Sequence, residues 1–302
     1  MSKTESELQQ LQVRDGAKIG FRLAKNELNR CVIGMVHGLA SNKTRWDEFI
    51  DKTCLRKIAN LMAFDLRGHN DSLWHGRITR SKWARDMYDI FKAKQFDKVF
   101  MIGHSMGAQV VMQYAMQHRD LVNGLILIDP IFDKNLTGNL VLARRTRYIL
   151  WTILLVVWFF NLLGFRKRKF KFRSLYELDI ATRQYLAENP HQDIAELYMS
   201  PVEDMKYMPL ANYIQDILEV IRPVGPIDSI DCPVLVLLSK RPAMSNLQKN
   251  VEIIKTIPNS QIHYIEADHW LMTEKPDEAR QVMEDWLQSQ LNTNENQQRS
   301  QA

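Results

Sequence analysis

Six short runs rich in Val, Ile, Leu and Met recur along this 302-residue chain: CVIGMVHG (31–38), NLMAFDLRG (60–68), KVFMIGHSMG (98–107), GLILIDP (124–130), PVLVLLS (233–239) and QIHYIEADH (261–269). Runs this short and this continuously apolar suit parallel strands buried on both faces, because a half-exposed strand would alternate. Amphipathic stretches lie between them. Trp83, Met87, Ile90 and Phe91 share one helical face, as do Ala108, Val111, Met112 and Ala115, and Ala279, Val282, Met283, Trp286 and Leu287 line a last helix opened by Pro276. Strand–helix alternation of this kind predicts an α/β fold, a mostly parallel sheet with helices on both faces. Ahead of it, ELQQLQV and KIGFRLA flank Asp15-Gly16 and read as an antiparallel hairpin.

The alternation stops between about Ile131 and Ile230, where the pattern is helical only, including 175–187 and 208–221. A helical block inserted at the carboxyl edge of the strands covers the edge at which open α/β sheets bind ligands. Three dispersed cysteines (Cys31, Cys54, Cys232) form no Cys/His cluster, which argues against a disulfide scaffold or a zinc site and suits a reducing compartment. The polar start, MSKTESELQQLQVRDG, lacks the apolar core of a secretory signal, so a cytoplasmic location is expected.

Gly103-His104-Ser105-Met106-Gly107 is a G-x-S-x-G at a strand-to-helix junction. Glycines at both ends permit a turn tight enough to lift Ser105 clear of the strand end, the placement a serine nucleophile needs. His37-Gly38 ends an earlier strand, so the N–H of Leu39 and the N–H of Met106 are expected on one edge as an oxyanion hole. A serine hydroxyl also needs an imidazole to take its proton. Of eight histidines, only His269 leaves a strand at that edge late in the chain; His37, His69 and His104 fall in turns, His118 ends a helix, His75 and His191 sit in polar stretches and His263 lies inside a strand.

With these motifs in hand, HG at 37–38, DLRGH at 65–69, GHSMG at 103–107, IDP at 128–130 and DHWLMTEKP at 268–276, the chain resembles the α/β-hydrolase family. The resemblance implies an eight-stranded sheet, with residues 1–132 as the first part of the core and a helical cap over 133–225 after strand six. The rest of the core would be 226–290, followed by a disordered tail over 291–302. It also implies a catalytic triad of Ser, acid and His. The family's usual acid follows strand seven, where this sequence reads Ser239-Lys240-Arg241-Pro242, and an arginine cannot orient an imidazole. Some relatives, lipases and haloalkane dehalogenases among them, hold the acid at the end of strand six, where Asp129 stands, and Asp129 is the expected acid. Asp268 would have to fold back on its neighbour. Asn70 stands where the family has glycine, and Asn tolerates the left-handed backbone such a turn needs.

The reading that follows is a serine ester hydrolase: Ser105 attacks, His269 moves the proton, Asp129 orients His269, and Leu39 and Met106 N–H groups hold the oxyanion. This chemistry calls for no metal or organic cofactor. A hydrophobic ester is the expected substrate. Thioesters and carbon–carbon bonds yield to the same triad, whereas dehalogenase and epoxide hydrolase chemistry needs a carboxylate at position 105. A rival of another class is a membrane-associated binding protein that kept the fold without catalysis, for which Arg241 speaks.

The insertion holds ILWTILLVVWFFNLLG (149–164) between basic flanks. From Arg144 to Arg173 there are nine Lys or Arg and no Asp or Glu, so the rest of the chain carries 31 basic against 35 acidic residues. One basic patch on a mildly acidic chain is not the footprint of a nucleic-acid binder. As a helix the apolar stretch rises about 24 Å, short of a bilayer's ~30 Å hydrocarbon core. A single crossing would also put strands of one sheet on opposite sides of a membrane. Two readings stay open: a helix buried in the cap against an acyl pocket, or an interfacial surface in which Trp151, Trp158, Phe159 and Phe160 enter lipid beside anionic headgroups. The unbalanced cations favour the second, hence a peripheral location on the inner face of a membrane. Oligomeric state is not legible.

Overall fold

The computed structural model describes residues 6–27, 29–198, 200–242 and 244–301, with 293–301 described by their backbone alone. Its strands are β1 (Glu7–Gln12), β2 (Lys18–Ala24), β3 (Cys31–Val36), β4 (Asn60–Phe64), β5 (Lys98–His104), β6 (Val122–Ile128), β7 (Val234–Ser239) and β8 (Ser260–Ile265). The helices are α1 (Asp47–Lys52), α2 (Arg80–Ala93), α3 (Met106–Gln117), α4 (Gly138–Arg145), α5 (Arg147–Leu162), α6 (Leu175–Glu188), α7 (Ile194–Tyr198), α8 (Pro201–Asp204), α9 (Leu210–Val220), α10 (Leu247–Ile254), α11 (Leu271–Glu274) and α12 (Pro276–Gln301).

The eight strands form one sheet in the order β1-β2-β4-β3-β5-β6-β7-β8. β1 and β2 pair antiparallel through the Asp15-Gly16 turn, with Gly16 at φ +86°. β2 also runs antiparallel to β4, and every pair from β4 through β8 is parallel. Side chains alternate between two cores. Val32, Met101, Leu125 and Val236 face the core that holds Trp83 and Met112, while Ile33, Ile102, Ile126 and Leu237 face the one that holds Met283 and Leu287. Both faces are therefore covered, which is why the runs read as continuously apolar. Trp46 is fully buried in the second core.

Between β6 and β7 the described residues hold helices α4 to α9 and no strand. In α5, Leu150, Leu154, Val157 and Trp158 form one stripe packed on Ala211, Ile214 and Leu218 of α9. The remaining faces of α5 are exposed, and Leu154 is its one fully buried side chain. Two expectations for this segment need correction. Trp158 turns inward onto α9 instead of outward. The cavity at the carboxyl edge of the sheet has residues of α4 and α9 in its lining and none of α5. Among the described residues no helix is long and apolar enough to cross a membrane. The segment 291–302, expected as a disordered tail, continues α12 as far as Gln301, and Ala302 lies outside the described residues.

Candidate active site

Ser105 stands between the last residue of β5 and the first of α3, at φ +55° and ψ −116°. Few non-glycine residues hold such a backbone, and it costs about 1–3 kcal/mol that the surrounding packing must offset. That packing is tight. A Cβ on Gly107 would lie 2.4 Å from the carbonyl oxygen of Val36 and 2.6 Å from that of His37, and one on Gly103 would lie 2.4 Å from the Gly107 oxygen. Helix α3 thus rests directly on the end of β3. Gly107→Ala should lower stability by about 3 kcal/mol, since the obstructing atoms are backbone of a central strand. Urea denaturation would measure this, and an unchanged midpoint would mean the turn is looser than described.

Asp129 follows β6 at the same edge, also with positive φ (+45°), and is 1% exposed. Its Oδ1 accepts hydrogen bonds from the Ser239 N–H (3.2 Å) and hydroxyl (3.0 Å), and its Oδ2 lies 2.6 Å from Nδ1 of His269. A buried carboxylate is tolerable only with its lone pairs occupied, and here three donors occupy them. With Nδ1–H held by Asp129, Nε2 is the ring nitrogen left for proton transfer.

His269 sits in the loop between β8 and α11. Its carbonyl oxygen is 3.0 Å from Nε2 of His104, and the two rings are 5.0 Å apart. Burial, and then the neighbouring His269, push the His104 pKa well below the usual histidine range. Neutral His104 therefore acts as a donor that pins the His269 backbone. His37 does similar work at the other side of the site. Its Nδ1–H donates to the Gly38 oxygen (2.8 Å) and its Nε2 accepts from the Leu66 N–H (3.1 Å). Burial, followed by His69, pushes its pKa well down, so the ring stays neutral and both bonds persist. In sequence both histidines read only as turn residues. Their position inside the HG and G-x-S-x-G motifs was the available signal.

Leu39 follows Gly38, whose backbone packs against Ser105: a Cβ there would lie 3.4 Å from the Ser105 Cβ. Met106 opens α3, so its N–H has no partner within the helix. Leu39, Ser105 and His269 line one cavity of about 510 Å³, whereas the Met106 side chain is fully buried beside it. Leu140 and Ala143 of α4, Ile217 and Val220 of α9, and Trp270 also line it. That size suits a small-molecule site, and the lining is mostly apolar. Arg45 reaches its wall, held by ion pairing to Asp179 and by a 2.9 Å hydrogen bond to the Thr273 hydroxyl; Tyr198 donates to Asp179 at 2.6 Å.

The arginine at the family's usual acid position and the carboxylate next to His269 are engaged with each other. Arg241 is exposed and pairs with Glu266 (2.7 Å) and Asp268 (3.0 Å). Asp268 is therefore held by Arg241, not by the imidazole next to it. Asn70 takes φ +36°, in the left-handed region its side chain tolerates, and donates to Asp65 at 2.9 Å.

A serine on a strained strand-to-helix turn and a histidine held by the carboxylate that follows β6 thus line one cavity at the carboxyl edge of an eight-stranded sheet. The profile of the alpha/beta hydrolase fold family matches residues 32–276, and the chain belongs to that family. An abhydrolase domain-containing protein of Schizosaccharomyces pombe is 25% identical over 257 residues, 83% of this chain and 90% of its own length. Ethanol acetyltransferase 1 of Wickerhamomyces ciferrii is 24% identical over 276 residues, 85% of this chain and 68% of its own. Among solved structures, a thermophilic esterase from Thermogutta terrifontis superposes with a TM-score of 0.66 at 20% identity, over 94% of this chain and 99% of the esterase. At that identity the likeness speaks for the fold alone.

Proposed function

We propose that this chain is a serine hydrolase of carboxylic esters with hydrophobic acyl groups. The observation that carries the reading is the 2.6 Å contact between Asp129 and Nδ1 of His269, with His269 and the strained Ser105 on one cavity wall. In the first half-reaction Ser105 Oγ bonds to the acyl carbon as Nε2 of His269 takes its proton. The oxyanion lies against the Leu39 and Met106 N–H groups. Collapse of the tetrahedral intermediate breaks the ester C–O bond, and His269 returns the proton to the departing alcohol. Water, deprotonated by His269, then releases the acid and restores Ser105. Helices α4 to α9 act as the cap in this reading. The apolar walls from Leu140, Ala143, Ile217 and Val220 receive the acyl chain.

Arg241 spoke for a binding protein without catalysis, but its engagement by Glu266 and Asp268 leaves it no bearing on the imidazole. A series of p-nitrophenyl esters tests the substrate class. kcat/KM should rise from acetate to octanoate by roughly 10- to 100-fold, since each buried methylene is worth up to ~0.8 kcal/mol and only part of the chain is buried. A clear preference for acetate would remove the hydrophobic acyl assignment. Absence of turnover on every ester and thioester would remove the hydrolase reading itself.

A further inference from the structure

We infer that α5 and its basic flanks form a docking surface for an anionic lipid bilayer. The apolar side of the argument is the helix itself. One stripe of α5 is used up on α9, yet Trp151, Leu155, Phe159 and Phe160 on the other faces are exposed, and so are Leu162 and Leu163 at its end. An apolar side chain gains nothing from water, and a contiguous patch of this kind on a folded chain marks a contact surface.

The charged side selects the occupant. Arg145, Arg166, Lys167, Arg168, Lys169 and Lys171 are all exposed. Among the described residues none of these six has a carboxylate within ion-pair distance; Arg173 alone of the segment's nine is paired, to Asp204 at 3.1 Å. Beside the helix, Arg77, Arg144, Arg147 and Arg222 line a groove of about 500 Å³ together with Trp151. Asp133 and Glu219 also border the groove, with Glu219 engaged by Arg80 and Arg222. Apolar side chains bracketed by unpaired cations match a bilayer, which offers hydrocarbon beneath a layer of anionic headgroups. A second copy of the chain fits poorly, because face-to-face pairing would bring two such cation clusters together. A nucleic acid would use the cations but not the exposed Trp, Leu and Phe side chains.

α4, which lines the catalytic-side cavity through Leu140 and Ala143, ends at Arg145, two residues before α5 begins. Docking through α5 therefore sets the cavity beside the bilayer, and the hydrophobic acyl substrate would enter from lipid. That consequence rests on the hydrolase reading, whereas docking itself does not.

Flotation of the full chain with phosphatidylcholine vesicles, with and without phosphatidylserine, tests it. Wild type should float with the anionic vesicles, and far less with the neutral ones. The double variant Leu155→Asp/Phe159→Asp and the double variant Arg166→Glu/Arg168→Glu should each weaken binding by roughly tenfold or more. Equal thermal unfolding midpoints would exclude misfolding, and Ser105→Ala should float as wild type does, which separates docking from catalysis. Failure of the wild type to bind anionic vesicles at low salt would overturn the proposal. So would loss of binding on charge reversal alone, the mark of a general polyanion site. Sedimentation showing a dimer that Leu155→Asp/Phe159→Asp dissociates would assign the patch to a second copy instead.

Discussion

Ser105→Ala is expected to lower ester turnover by about five orders of magnitude, because removing the proposed nucleophile leaves only the proposed oxyanion donors and binding to assist water. The same replacement should abolish labelling by a fluorophosphonate probe. The probe reads activation directly: an ordinary surface serine, with no base to take its proton, does not react at a useful rate. In this chain the hydroxyl is carried on a residue held at φ +55° and faces the cavity that His269 also lines. A label recovered on the peptide bearing Ser105 in wild type, and lost in the alanine variant, is the expected pair of results. A folded wild type that never labels, or an alanine variant that labels as well, would remove Ser105 from the mechanism.

Asp129→Asn should cost about 10⁴-fold in kcat, the size expected when an orienting carboxylate is replaced by an amide of the same shape. The physical reason is the tautomer. Asp129 Oδ2 lies 2.6 Å from Nδ1 of His269, and in the proposed mechanism it accepts from Nδ1–H and so keeps Nε2 free to receive the serine proton. An asparagine amide that donates to Nδ1 forces the proton onto Nε2, and the base is lost. Ser239 donates to the other oxygen through both its N–H and its hydroxyl, so the asparagine oxygen has a place and the fold should survive. Asp268→Asn and Arg241→Ala serve as controls. Both side chains belong to the exposed pair 3.0 Å apart, and each replacement should change kcat/KM by less than about threefold. An Asp268→Asn enzyme as impaired as Asp129→Asn would contradict the proposed acid.

The strands were legible in the sequence because each is buried on both faces, and burial on both faces writes itself as an uninterrupted apolar run. The junction around Ser105 was legible because a turn with Val36 and His37 backbone this close admits only glycine at position 107. The roles of His37 and His104 were not. A histidine that serves by donating one hydrogen bond to a backbone carbonyl looks, in sequence, like any turn histidine. The orientation of α5 was equally hidden. A stretch hydrophobic all round carries no periodicity, so nothing in the letters says that Trp158 turns to α9 while Trp151 does not.

Local chemistry along the chain determined the α/β class, the strand-to-helix turn at Ser105 and the unbalanced cations of 144–173, since each depends on residues that are neighbours in sequence. Only the tertiary structure decided which carboxylate meets His269, because Asp129 and His269 are 140 positions apart and come together solely through the parallel pairing of β6, β7 and β8. It likewise decided that Arg241 points away to Glu266 and Asp268. Contacts made across a sheet depend on strand order and register, and neither is a property of any one segment.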